Sequence, residues 1–138
     1  MVKRKTPGIS LPKITRGLPV GTLVTASDNS GAKILQIISV KGHNTRLRRN
    51  PSAHVGDLVV CSVKKGTPKM RRQIVHAVII RQRKKFKRFD GSWISFNDNA
   101  AVVTSETGEL KGSEIRGAVA KETAEKYPRL ASAATMII

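Results

Sequence analysis

From Gly21 onward the apolar residues fall in short runs rich in Val and Ile, each closed by turn-forming residues. That is the rhythm of pleated strands, whose alternate side chains face opposite sides, rather than of an amphipathic helix. Thr22–Ala26 reads as a short strand, and Ala32–Val40 as a long one carrying Ile34, Leu35, Ile37, Ile38 and Val40. Between them Asp28-Asn29-Ser30-Gly31 has the composition of a turn in which side chains bond nearby backbone and Gly takes positive φ. Val-rich Asp57–Lys64 and Gln73–Gln82 supply two more strands. Asp90-Gly91 marks a tight turn, Ser92–Phe96 a strand leaving it, Asn97-Asp98-Asn99 another turn, Ala100–Thr104 a strand, and Thr107-Gly108 a further turn. Short strands roughly ten residues apart predict a mainly β chain folded as a small antiparallel barrel, not alternating βαβ units. Val24, Ile37, Val59, Val78, Ile80 and Val102 are its expected core, and Trp93 is expected either to plug the barrel or to shield an edge.

The two ends of the chain break this pattern. Residues 1–19 combine Pro7, Pro12 and Pro19 with basic side chains, a poor helix or central strand, and read as a basic arm ordered on a partner. Gly117–Tyr127 has helix formers with apolar spacing near four, and Pro128 both ends that helix and suits the start of another over Arg129 to about Thr135. The apolar Met136-Ile137-Ile138 is expected to pack on the barrel. One domain of three parts follows: an arm (1–19), a barrel with projecting basic loops (20–116) and a helical segment packed on it (117–138).

Charge then sorts these parts. Residues 1–88 hold 21 of the 26 Lys and Arg against two acids, Asp28 and Asp57, whereas the remainder holds five basic and seven acidic residues; +19 and −2 give the net +17. Such a concentration repels itself unless a polyanion neutralises it, so the first part is expected to face phosphate and the last part solvent or protein. The cations lie in loops: Gly42–Ala53 with Arg46, Arg48 and Arg49; Lys64–Arg72; and the run Arg81–Arg88. The strands before residue 85 contain no aromatic, which excludes a base-stacking sheet of single-strand or RNA-recognition type. Phosphate and shape contacts with folded RNA remain.

Other chemistry finds little support. Cys61, the single cysteine, forbids an internal disulfide and sits in an apolar strand as a small buried thiol. His43, His54 and His76 match no zinc spacing, so no metal or other cofactor is expected. Asp28 and Ser30 lack a nucleophile elbow, and Lys65-Gly66-Thr67 lacks the context of a phosphate loop, so no enzyme is expected. Without a run approaching the roughly 20 apolar residues of a membrane span, or a signal-type segment after Met1–Gly8, a soluble intracellular protein is expected. An independent RNA chaperone would share all these features.

One pattern narrows the choice. Ala77-Val78-Ile79-Ile80, nine residues, Asp90-Gly91, four residues, Phe96, two residues, Asn99, two residues and Val102-Val103 resembles the signature of the ribosomal protein uL14 (L14) family of the large subunit. Gly17-Leu18-Pro19-Val20-Gly21, Asp28–Ala32, Val55-Gly56-Asp57 and Lys111-Gly112 resemble the same family, so the likeness covers residues 17–138. The arm, Lys65–Gln73 and Ala131–Ile138 resemble its archaeal form. Gly117-Ala118 departs from the Gly-Pro often found there.

The resemblance implies a five-stranded OB/SH3-like barrel with a C-terminal helical segment, bound to large-subunit ribosomal RNA. It further implies a bridge to small-subunit RNA, uL3 and eL24 as neighbours, a C-terminal docking surface for a subunit anti-association factor, and no membrane or homo-oligomer. By charge and position, the RNA-contacting residues are expected to be Lys3, Arg4, Lys5, Lys13 and Arg16 of the arm, and Lys33 and Lys41 beside the long strand. Arg46, Arg48 and Arg49 make one expected contact loop, and Lys64, Lys65, Lys69, Arg71 and Arg72 a second. Arg81, Arg83, Lys84, Lys85, Lys87 and Arg88 make the third, with Phe86 or Phe89 packing on a sugar or base. Lys121, Glu122, Glu125, Lys126, Tyr127 and Arg129 are the expected protein-facing residues.

Overall fold

The computed structural model describes residues 13–43 and 47–138. Lys3, Arg4, Lys5 and Arg46 therefore lie outside the described residues. Among the described residues eleven strands and two helices follow in chain order: β1 (Leu18–Pro19), β2 (Leu23–Ala26), β3 (Ala32–Val40), β4 (Ser52–Ala53), β5 (Leu58–Gly66), β6 (Ile74–Arg81), β7 (Phe86–Lys87), β8 (Trp93–Ile94), β9 (Ala100–Thr104), β10 (Ile115–Val119), α1 (Lys121–Lys126), α2 (Pro128–Ala133) and β11 (Ala134–Ile137).

Strands β2, β3, β5, β6 and β9 close into a barrel in that order. Four of its joins are antiparallel, but β2 meets β9 in parallel, Thr25 opposite Ala100 and Ala26 opposite Ala101. This corrects the wholly antiparallel expectation, and the reason is arithmetic. A closed ring with an odd number of strands cannot alternate direction all the way round, so one join must be parallel. Register shifts in β3 between Ile37 and Ser39, and between β6 and β9 at Ile79 and Arg81, supply the bends that closure requires.

Strand alternation sends two sets of side chains to two cores. Val24, Leu35, Ile37, Val59, Cys61, Val63, Val75, Ala77, Ile79, Ala101 and Val103 fill the barrel. The outward residues of β6 and β9, Val78, Ile80, Ala100 and Val102, form a second cluster with Ile115, Val119 and Leu130. That is why β9 is buried on both faces. The six expected core residues are all buried, but Val78, Ile80 and Val102 pack under the C-terminal layer rather than inside the barrel. Trp93 does not plug the barrel: it lies on the separate β7–β8 hairpin, 59% exposed. Aliphatic side chains fill the interior instead.

The C-terminal layer differs most from expectation. Residues 117–119 are strand, not helix, because Gly117 takes φ +76 and the carbonyls of Arg116 and Ala118 point at the Arg81 guanidinium. Helix α1 begins at Lys121 and ends at Lys126, and α2 starts at Pro128, where a missing N–H costs nothing. From Ala134 the chain becomes β11, which runs parallel to β10 with Met136 beside Ala118 and Ile137 beside Val119. Met136, Ile137 and Ile138 are therefore held by backbone pairing and remain half-exposed, not buried on the barrel as the apolar tail suggested.

Candidate nucleic-acid interface

Barrel register collects the described exposed cations of residues 13–87 into two groups, at opposite ends of the barrel. At the first end β3 begins, β5 ends and β6 begins: Ala32 pairs with Gly66, Ile34 with Lys65, and Ser62 with Ile74. Lys33, Lys64 and Lys65 are exposed there, and the connecting loop adds Lys69, Arg71 and Arg72. The loop is ordered by local geometry, the amides of Met70 and Arg71 both donating to Thr67 O. It also rests on the 28–31 turn through the Thr67 amide, which donates to Gly31 O at 3.0 Å.

At the second end β3 terminates and β5 begins, Val40 opposite Val59. Lys41, Arg48 and Arg49 are exposed on the β3–β4 connection. The strand pair β1–β4 joins this region to the N-terminal segment, bringing Lys13 and Arg16 to the same end. Arg83, Lys84, Lys85 and Lys87 follow β6 and are all exposed. Buried Gln82 locks this junction: its Nε2 donates to Thr15 O and Lys84 O, each at 2.9 Å, and its Oε1 accepts from the Val55 amide at 3.1 Å. Nothing in the local sequence singles out this glutamine, since two of its three partners, Thr15 and Val55, are distant along the chain.

Three of the expected RNA contacts are committed elsewhere. Arg81 Nε and Nη2 donate to Asp98 at 2.9 and 3.2 Å, Nη1 to the Arg116 and Ala118 carbonyls at 3.1 and 2.9 Å, and Nη2 to Ser27 Oγ at 2.9 Å. Its fork thus rivets the barrel to β10 and is withdrawn from any phosphate. Arg88 Nε and Nη2 donate to Glu122 at 2.9 and 3.3 Å, and Nη2 also reaches Ile138 O at 2.6 Å. Phe86 is fully buried and cannot reach a sugar or base, so of that pair only exposed Phe89 retains the possibility. Arg16 is partly engaged, by Asp57 at 3.2 Å and Ser52 O at 2.9 Å, yet its side chain remains 39% exposed.

The C-terminal side looks different. Lys121, Glu125, Lys126 and Arg129 are exposed, Glu122 is held by Arg88, and Arg129 pairs with Glu109 at 2.8 Å. Tyr127 packs on Gly108, and burial together with the Asp57 charge pushes its phenol above the ordinary value. A groove of about 460 Å³ runs between α1 and the β7–β8 turn, lined among others by Ile14, Phe89, Asp90, Lys121, Glu122 and Glu125. Its lining balances Lys87, Arg88 and Lys121 against Asp90, Glu122 and Glu125, a composition without preference for a polyanion. Among the described residues no His, Cys, Asp and Glu group is disposed to hold a metal ion. Asp28 and Ser30 bond each other at 2.9 Å, and Asp28 also accepts from the Val103 amide at 3.0 Å, so this pair shapes a turn. Neighbouring Asn29 accepts from the Ser113 amide at 2.9 Å and fastens the 110–114 segment to the turn.

A sequence profile described as ribosomal protein L14p/L23e matches residues 17–138. The chain belongs to that family. It is 51% identical over 124 residues to the large ribosomal subunit protein uL14 of Picrophilus torridus, spanning 90% of this chain and 94% of the relative. The uL14 proteins of Thermoplasma acidophilum and Thermoplasma volcanium are 50% and 49% identical, each over about nine-tenths of both chains. These relatives are archaeal, the branch that the N-terminal arm, Lys65–Gln73 and Ala131–Ile138 resemble. Membership of this family makes the chain a constituent of the large ribosomal subunit, not an enzyme.

Proposed function

We propose that this protein is a structural constituent of the large subunit of the cytoplasmic ribosome that grips ribosomal RNA with both ends of its barrel and presents its C-terminal layer to proteins. Its RNA-contacting set is Lys13, Arg16, Lys33, Lys41, Arg48, Arg49, Lys64, Lys65, Lys69, Arg71, Arg72, Arg83, Lys84, Lys85 and Lys87. Ribosomal RNA of the large subunit takes most of these contacts. A position at the subunit interface lets the remainder bridge to small-subunit RNA. The C-terminal layer faces neighbouring proteins, uL3 and eL24 in the family, and a factor that blocks subunit joining.

One observation carries this reading: exposed cations outnumber acids heavily at the barrel ends, whereas acids exceed bases over residues 89–138, which carry the C-terminal layer. The barrel ends expose lysines and arginines with few acids beside them, whereas Arg81, Arg88 and Arg129 on the C-terminal side are matched to Asp98, Glu122 and Glu109. Unneutralised cations gain by releasing counterions from phosphate, and a charge-balanced face does not. Crosslinking in purified large subunits tests the division. Peptides around residues 48, 69 and 84 should crosslink to RNA, and peptides from 121–129 to protein. The reverse distribution overturns the proposal.

A further inference from the structure

We infer that the β7–β8 hairpin carries a stacking site for a single unpaired nucleobase, built on Trp93 and flanked by Lys85 and Lys87. The inference deepens the RNA reading above and rests on it. The hairpin has two unlike faces, set by its register of Phe86 opposite Ile94 and Lys87 opposite Trp93. Phe86, fully buried, and Ile94, half-buried, pin one face to the barrel core. The other face turns Lys87 and Trp93 outward, and Lys85 places its Nζ 5.5 Å from the indole centroid. Arg88 anchors the hairpin through Glu122, so Trp93 is presented on a fixed support.

An indole left 59% exposed forfeits the gain of burial that its neighbour Phe86 takes. Its surroundings identify what restores that gain. Arg83, Lys84, Lys85 and Lys87 are exposed on the same segment, and the acid nearest in sequence, Asp90, is occupied by the Ser92 amide and hydroxyl. A flat aromatic ligand carrying negative charge close by fits this combination, and a nucleotide is such a ligand. Stacking on the ring, with a lysine over it and a second beside it, joins base–aromatic and cation–π attraction to phosphate pairing. The site takes one base, because the other exposed aromatic of the hairpin, Phe89, lines the groove beside α1. It is therefore distinct from the stacking platform of a single-strand binder, which the aromatic-free strands β2, β3, β5 and β6 exclude.

Trp93 is the single tryptophan of the chain, so the intact protein reports on the site through its own emission. The probes are a hairpin RNA with an unpaired adenosine loop and a fully paired duplex RNA with the same number of phosphates. Saturable quenching by the loop RNA, and little by the duplex, is the expected result. Trp93→Leu should weaken loop binding about 5- to 140-fold, while Trp93→Phe retains most of it. Circular dichroism of both variants establishes that the barrel is intact. Salt-dependent binding of both RNAs without quenching overturns the stacking site, leaves the phosphate reading standing and reassigns this face to protein contact. Failure to bind either RNA overturns both.

Discussion

Individual side chains here do work that their type alone does not disclose. Arg81 and Arg83 belong to one basic run, yet Arg81 is spent on two carbonyls, a hydroxyl and a carboxylate, while Arg83 is exposed. Their difference arises from tertiary neighbours at 27, 98, 116 and 118, which no local pattern announces. Cys61 is the opposite case, legible from its apolar strand. Burial pushes its thiol up to about 12, so almost no thiolate exists in the folded protein at neutral pH. A thiol reagent should label Cys61 only as fast as the barrel opens, and immediate labelling of folded protein would contradict the packing. Asp28 offers a test by titration. Burial lifts its carboxyl above the ordinary 3.8, although Ser30 and the Val103 amide donate to it. The folded state therefore holds this proton more tightly than the unfolded chain. Its contribution to stability is full below 3.8 and is lost as pH rises through the folded value. The difference in melting temperature between wild type and Asp28→Asn should accordingly decline from about pH 4 towards pH 7, and a flat difference would refute the shift.

At the scale of elements, the C-terminal layer depends on a few fastenings. Arg81→Met removes a fork that one ammonium cannot replace, leaving the Arg116 and Ala118 carbonyls and Ser27 without their donor. A loss of about 2–4 kcal/mol in chemical denaturation is expected, with Arg81→Lys recovering only a minor part. Gly108 is the second fastening. It sits at φ +89, and a Cβ there would lie 2.5 Å from Tyr127 Cε1. Gly108→Ala must therefore strain the backbone and displace the ring, costing about 1–3 kcal/mol, whereas Gly91→Ala at φ +90, with open space around it, bears the backbone strain alone. Long elements were readable in advance: Ala32–Val40 and Ala100–Thr104 have the bounds that apolar runs and turn residues indicate. Strand β10 was not. Ile115 and Val119 stand four apart, a helical interval, and only positive φ at Gly117 and pairing with distant β11 impose extension. The same holds for β1 and β4, whose Pro19 tolerates a strand because each pairs on one edge alone among the described strands.

Taken whole, the molecule is a barrel with two charged ends and a neutralised cover. The asymmetry of charge along the chain is legible in the sequence. Its division between opposite ends is not, since that depends on strand direction. The division has a measurable form. Replacing Lys64, Lys65 and Lys69 by Ser should reduce the dependence of log affinity on log salt by roughly 2–3, and replacing Arg83, Lys84 and Lys87 by a similar amount. Combining both sets should come close to adding, because the groups are separated by the length of the barrel. Lys121→Ser with Lys126→Ser should leave the slope nearly unchanged. A slope insensitive to one of the two triple replacements would mean that only one end meets RNA.

The parallel join of β2 to β9 also dictates when this fold can exist. During synthesis Leu23–Ala26 has β3 as its partner on one side and nothing on the other until Ala100–Thr104 have been made. The ring stays an open sheet through all the earlier strands, with Val24 and the interior valines wet on one flank. Arg81 waits longer still, its carbonyl partners at 116 and 118 emerging later. A nascent chain carrying this excess of positive charge thus stays unclosed until β9 has been made, and its Arg81 fastening forms only after residue 118.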